Sequence, residues 1–240
     1  MLQKTRGIIL HSVKYNDNAT IVMIYTQLFG KISYMVYGAN KKKSRFRSAF
    51  LQPLSLVEID VFHSHSKNIQ SIKDIRITFP LMGISSHPVK NALALFVSEV
   101  LYRSLKQTDP DENLYNFLEN SIQVLDCCEE GIANFHLVFL MQLAKYLGFE
   151  PNTEEKSNHY FDLMNGVFIN ELPPHKHYLN TDLTLKLIQI IKTDYLNLNS
   201  LKLTRTERLK LIESISDYYK LHVADFQGIS SIQILHSLFD

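Results

Sequence analysis

The sequence predicts an α+β chain: a small five-stranded β-barrel, then a mostly α-helical domain interrupted by a small β-hairpin. Three observations lead there. Apolar residues recur with period two through five short runs in the first 80 positions. From Pro80 the period lengthens to that of a helix and stays there, except in one polar stretch at about 149–180. The apolar fraction of 45% over 240 residues is enough for one or two packed cores and too high for a disordered chain. The predicted domains are 1–80 and 81–240, with the insertion at 149–180.

Residues 6–14 are β-branched and apolar enough for a first strand, and Asn16-Asp17-Asn18 is a turn. Ala19–Gln27 follows, with Ile21, Met23 and Tyr25 on one face and Val22, Ile24 and Thr26 on the other. Apolar residues on both faces fit a strand that is covered on both sides or closed into a barrel. Phe29-Gly30-Lys31 makes a tight connection to a third strand, Lys31–Tyr37. The fourth, Ser55–Phe62, alternates cleanly, with Val57, Ile59 and Val61 inward and Glu58 and Asp60 outward. In the fifth, Ile69–Phe79, the alternation slips between Ile72 and Ile75, as a bulge would make it. Five short strands in about 80 residues fit a closed barrel of the oligonucleotide-binding (OB) type.

In the second part, Pro88 opens a helix to about Leu105 that is apolar nearly all round and therefore buried. Asp109-Pro110-Asp111-Glu112 reads as a helix start with Asp109 as N-cap, and that helix runs to about Cys127. Glu130–Tyr146 is stopped by Leu147-Gly148. Asp182–Lys192 and Arg205–Leu221 are two more helices, the second opened by a Thr204/Glu207 capping box, and a short one spans Ser230–Leu238. Inside the insertion, Tyr160–Leu163 and Val167–Ile169 flank Asn165-Gly166, a hairpin turn signal.

The net charge of +1 conceals an asymmetry. Residues 1–80 hold 12 Lys/Arg against 4 Asp/Glu, a net +8, and the remainder holds 13 against 20, a net −7. Five of those cations, Lys41, Lys42, Lys43, Arg45 and Arg47, crowd one loop between strands three and four with no acid among them. A basic barrel half joined to an acidic half points to a polyanionic partner for the first. A basic groove with aromatic platforms is how such barrels hold single strands, and Phe46, Tyr34 and Tyr37 are the candidate platforms. A second basic cluster, Lys202, Arg205, Arg208 and Lys210, either extends that track or lies on a solvated helix face.

Sites of chemistry are absent from the pattern. There is no phosphate loop, no dinucleotide fingerprint and no nucleophile elbow, so a binding protein and not an enzyme is expected. His63 with His65, and His175 with His177, form His-x-His pairs without a third ligand at close spacing, although His159 lies upstream of the second pair. The two cysteines, Cys127 and Cys128, are adjacent and form no disulfide framework, as suits a reducing cytoplasm. No run of 18 apolar residues occurs, and the N-terminus lacks a secretory h-region, so no membrane association is expected.

Several stretches together resemble the RecO family of bacterial recombination mediators. They are Thr5-Arg6-Gly7-Ile8-Ile9-Leu10, the Tyr15–Asn18 turn, Tyr25-Thr26 before Phe29-Gly30-Lys31, and Tyr37-Gly38-Ala39 followed by Lys42-Lys43-Ser44-Arg45. Leu51-Gln52-Pro53-Leu54, Leu147–Pro151, Tyr219, His222, Phe226 and Ile229-Ser230-Ser231 continue the likeness to the end of the chain. The resemblance implies an OB barrel on a helical domain that binds single- and double-stranded DNA and anneals complementary strands in the cytoplasm, at the nucleoid. It implies RecR and the C-terminal tail of the single-stranded DNA-binding protein SSB as partners, with a functional link to RecA. Phosphates would meet Lys41, Lys42, Lys43, Arg45 and Arg47, with Arg6 and Lys31 nearby. A pocket for the SSB tail would lie on the helices of Phe96 and Phe139, with Arg103 or Lys145 at its rim. Some members bind zinc through four cysteines in the insertion. Residues 149–180 have none here, so no metal cofactor is expected and Tyr160, Phe161 and Phe168 are left to hold the hairpin. Other readings are a ribosome-associated RNA-binding barrel, a metal-dependent hydrolase built on the histidines and Asp162, and a structural adaptor whose acidic half is the working surface.

Overall fold

The computed structural model describes residues 2–38, 48–64, 67–106, 110–153 and 159–238. Five strands, β1 (Leu2–Asn16), β2 (Ala19–Thr26), β3 (Gly30–Tyr37), β4 (Leu56–Phe62) and β5 (Ile69–Phe79), close into a barrel in the order β1-β2-β3-β5-β4. Closure is possible because β1 is long enough to serve two neighbours. Leu2–Ile8 pairs with β4, and Gly7–Asn16 pairs with β2. The strand therefore begins four residues before the apolar run at 6–14, where Leu2, Gln3, Lys4 and Thr5 are held by β4 and not by their own pattern. Among the described residues, the one parallel pairing in the barrel joins β3 to β5, from Ser33 opposite Ile69 to Met35 opposite Ser71.

The interior is filled by Ile9, Val22, Ile24, Tyr34, Val36, Val57, Ile59, Val61 and Ile75, with Leu51 from the 3-10 turn Ser48–Leu51 closing one side. Each such aliphatic side chain contributes about 1.5–3 kcal/mol by leaving water. The slip in β5 is a bulge: Asp60 faces Asp74 but Val61 faces Ile72, so Lys73 is the extra residue.

The chain divides into two compact units, Met1–Asp126 and Cys127–Asp240. The first contains the barrel with α1 (Met82–Ser86), α2 (Pro88–Ser104) and most of α3 (Glu112–Cys127). Asp111, and not Asp109, caps α3: its carboxylate accepts from Leu114 N at 3.0 Å and its carbonyl from Tyr115 N at 2.9 Å. Pro110 thus precedes the cap, and Asp109 falls outside the described residues. Near the end of α3, Asp126 Oδ1 accepts from Ile84 N at 2.7 Å and its carbonyl accepts from the buried Lys90 Nζ at 2.6 Å. Gly83 is essential to this junction, since a Cβ there would lie 2.0 Å from the Asp126 carbonyl oxygen. Tyr25, on the outside of β2, is buried against Tyr115 of α3 with ring centroids 6.4 Å apart.

The second unit is built on α4 (Phe135–Tyr146), α5 (Thr181–Lys192), α6 (Arg205–His222) and α7 (Ile232–Leu238). Helix α4 ends in a Schellman turn. Phe149 N reaches Ala144 O, Gly148 N reaches Lys145 O, and Gly148 takes the left-handed φ of 82° that the turn requires. The Thr204/Glu207 capping box at the start of α6 is present in both directions. The predicted hairpin forms from β6 (Tyr160–Asp162) and β7 (Val167–Ile169), and β6 gains a further partner in β8 (Tyr178–Leu179). Asp162 ties the turn by accepting from Met164 N, Asn165 N and Asn165 Nδ2. Phe161 and Phe168 are buried at 4.8 Å from each other, and Tyr160 meets Tyr178 edge to face.

Candidate nucleic-acid interface

Strands β1, β2 and β3 lie side by side, and their outward residues form cross-strand rows. Because Val22, Ile24, Tyr34 and Val36 point into the barrel, the intervening positions must point out. In one row His11 faces Met23 and Met23 faces Ser33. In the next Val13 faces Ile21 and Ile21 faces Met35. At the far end Asn16 faces Ala19 and Ala19 faces Tyr37, with Tyr15 in the register shift between Lys14 and Asn16.

This end of the face is aromatic and open. Tyr15 and Tyr37 are each 64% exposed, and Val13 is 51% exposed. Apolar and aromatic groups grouped on a strand face in this way mark a contact surface for something. The cation beside them, Lys14, is paired with Asp17 at 2.8 Å on the surface, where such a pair contributes little and leaves the lysine available. Tyr37 is followed by Gly38 and then by the stretch holding Lys41, Lys42, Lys43, Arg45, Phe46 and Arg47, all of which lie outside the described residues. Tyr15 and Val13 were not singled out from the sequence. Their signal was the continuation of β1 past its buried part, Ile8-Ile9-Leu10, into six exposed residues.

Comparison with known proteins decides the lineage. Residues 1–81 match the model described as Recombination protein O N terminal, and residues 85–228 match Recombination protein O C terminal. The chain belongs to the RecO family. It is 39% identical over 241 residues to the DNA repair protein RecO of Azobacteroides pseudotrichonymphae, and 38% identical over 242 residues to that of Bacteroides fragilis, in both cases across the full length of each chain. The RecO of Porphyromonas gingivalis is 30% identical over 245 residues, again over both full lengths. This is therefore a RecO-family DNA repair protein with a recombinational role. No helix among the described residues is long and apolar enough to cross a membrane.

Several residues assigned to the interface from sequence prove to have other tasks in this RecO-family chain. Tyr34 is not a stacking platform: it is 0% exposed inside the barrel, because it shares parity with Val36 and not with Tyr37. Arg6 is not presented to a strand. Its Nη1 pairs with Glu119 of α3 at 2.9 Å, its Nε donates to Gln27 at 3.2 Å, and its guanidinium lies 5.4 Å from the Tyr115 ring centroid. Lys31 is likewise turned inward. Its ammonium donates to the carbonyls of Tyr102 at 2.5 Å and Leu105 at 2.6 Å and sits over the Tyr102 ring, so it caps the negative end of α2. Burial holds that ammonium below the usual lysine range.

In the second basic cluster, Arg208 is half-buried and donates to Leu203 O at 2.6 Å, which makes it a structural side chain. Lys202 is exposed and donates to Asn199 O at 2.9 Å, while Arg205 and Lys210 are exposed on α6. Neither phenylalanine proposed for a tail pocket is open to a ligand within its own unit. Phe96 and Phe139 are both 0% exposed, in different units, and Arg103 is paired with Glu99 at 2.8 Å. Lys145 does border a cavity of about 690 Å³, whose lining is mixed: Met141, Pro151 and Ile191 are apolar, and Glu150 and Gln142 are not.

The histidines are dispersed. His63 stacks on Phe29 at 4.2 Å, and His65 lies outside the described residues. His175 Nε2 is 3.4 Å from Asp162, and its ring centroid is 6.3 Å from that of His177. Among the described residues no group of three or more His, Cys, Asp or Glu could hold a metal ion.

Proposed function

We propose that this chain binds single- and double-stranded DNA through its barrel, anneals complementary strands and, with RecR, helps RecA to load on SSB-coated DNA. The single observation that carries the DNA-binding part is the open tyrosine pair at the end of β1–β3, one residue of which leads directly into the five-cation stretch. Stacking on Tyr15 and Tyr37 holds bases without regard to sequence, and the cations hold phosphates. Residues 1–80 form the nucleic-acid-binding part on this account, and Lys202, Arg205 and Lys210 are secondary contacts.

Annealing needs no catalytic residue, so the chain acts as a mediator and not as an enzyme. Neutralising two phosphate backbones on one surface lowers their mutual repulsion and raises the frequency with which complementary bases meet. Helpful to that role is the asymmetry of charge: the +8 segment draws in strands while the −7 remainder does not. An acidic, apolar-ended SSB tail would be received at the cavity beside Lys145, where Met141, Pro151 and Ile191 supply apolar wall and Glu150 is the acid it must avoid. Such a protein works in the cytoplasm, at the nucleoid.

The test is to change Tyr15 and Tyr37 to Ala, singly and together, and to measure both oligonucleotide affinity and the rate of annealing. Each change should weaken single-strand binding by about 1–3 kcal/mol, with an unchanged salt slope because stacking releases no counterions. Wild-type affinity in the double variant would remove this face from the interface. Preferential binding of ribosomal RNA over DNA would favour the RNA-binding alternative.

A further inference from the structure

On another side of the barrel lies a groove of about 430 Å³ that the face of β1–β3 does not include. It is walled by Phe50 from the 3-10 turn, Ile77 and Phe79 from β5, Met82 from α1, and Ala94 and Leu95 from α2. Phe50 is half-buried and packs on the barrel core together with Ile77. Met82 is 70% exposed and Leu95 is 40% exposed, an unusual outlay of apolar surface at the mouth of a cavity. Two amide side chains, Gln52 and Asn91, also line the groove, and neither has a hydrogen-bond partner for its side chain among the described residues. No described lining residue is charged.

We infer that this groove is a subsite for an unpaired nucleobase of the strand held by the basic loop. The inference rests on the DNA-binding reading above and deepens it. The groove offers flat aromatic and aliphatic walls for the faces of a base, and amide donors and acceptors for its edge. In the sequence the cationic stretch leads into it: Arg47 immediately precedes the turn Ser48–Leu51 that carries Phe50. An anionic backbone with a neutral, flat, hydrogen-bonding side group is complementary to that sequence of surfaces. An acidic peptide tail is not, because its terminal carboxylate would find no cation among the described groove residues. A base inside a duplex is already stacked and paired, so the subsite favours single strands over double strands.

The experiment compares a fluorescein-labelled oligothymidylate with an abasic oligonucleotide of equal length and charge, using the full chain. Wild type should bind the first more tightly. Phe50→Ala should narrow that ratio by about tenfold while leaving the abasic affinity unchanged. Because the chain contains no tryptophan, Phe50→Trp supplies a second readout that keeps the aromatic wall. Its emission should be quenched by the oligothymidylate and not by the abasic strand. DNA binding with an unchanged ratio in Phe50→Ala, or with a silent indole, overturns the subsite and leaves the DNA-binding reading standing. Failure of wild type to bind either strand overturns both. Quenching of the indole by an apolar-ended acidic peptide, and not by DNA, assigns the groove to a protein tail instead.

Discussion

Replacing Lys31 by Met separates a structural role from a DNA-binding one at a single position. The side chain reaches from β3 to the C-terminal end of α2 and donates to two carbonyls there, Tyr102 O and Leu105 O. Methionine keeps most of the stem and removes the charge and both hydrogen bonds. Charge-assisted hydrogen bonds contribute about 1.5–3 kcal/mol each, but the one to Tyr102 is solvent-exposed and desolvation of the ammonium offsets part of the other, leaving a net loss of about 2 kcal/mol. For a cooperative unit the size of Met1–Asp126, the entropy of unfolding is about 0.26 kcal/mol/K, so the midpoint should fall by about 8 °C. Thermal unfolding followed by circular dichroism reads this, and amide exchange should localise the loss to the last turn of α2. The slope of log K against log salt for an oligonucleotide should not move. A variant as stable as wild type whose slope is shallower by about 0.7 would mean that Lys31 meets a phosphate, and the assignment to α2 would be wrong.

Two further changes probe the helical packing. Gly83→Ala should cost more than about 3 kcal/mol, because its Cβ must displace the Asp126 carbonyl and with it the bonds to Ile84 and Lys90. A wild-type urea midpoint would contradict that placement. His136 is fully buried in the second unit; burial, with the Arg208 charge adding to it, lowers its pKa to about 3. Its folded value lies below its unfolded value, so the unfolded chain takes up the proton first. The stability contributed by the neutral ring is therefore present above about pH 6.5 and falls by roughly 1.4 kcal/mol per pH unit towards pH 3. Amide exchange in α4 across that range should show the slope in wild type and lose it in His136→Phe; an equal slope in both would place the proton elsewhere.

Much of this architecture was legible in the sequence because the strands that matter keep strict parity. Val57, Ile59 and Val61 alternate with Glu58 and Asp60, and the slip between Ile72 and Ile75 marked the stretch in which the register then places the bulge, at Lys73. The capping box and the Asn165-Gly166 turn were equally readable, since both depend on neighbours within a few residues. The errors occur where the partner is far away. In β3 parity sets Tyr34 with Ile32 and Val36 and Tyr37 with Lys31 and Ser33, but Met35 on the second face left the choice of inner face to the pairing with β2 and β5. Arg6 and Lys31 look like free cations until Glu119 and the end of α2, 113 and 71 residues away, come alongside. Strand β8 has two residues, too few to show a period. The tail pocket on Phe96 and Phe139 conflicted with a reading already available: a helix apolar all round is a buried one, and its phenylalanines line no open cavity.

The central claim is that the stretch Lys41–Arg47 is the element that holds DNA. It is tested most directly by the salt dependence of single-stranded oligonucleotide binding, in wild type and in a variant with Lys41, Lys42, Lys43, Arg45 and Arg47 all changed to Ala. Each phosphate contact removed should take about 0.7 from the slope on single strands, so the variant should be shallower by two units or more with its helix content unchanged. A variant that keeps the wild-type slope would contradict the claim and leave Lys202, Arg205 and Lys210 as the cations to test next.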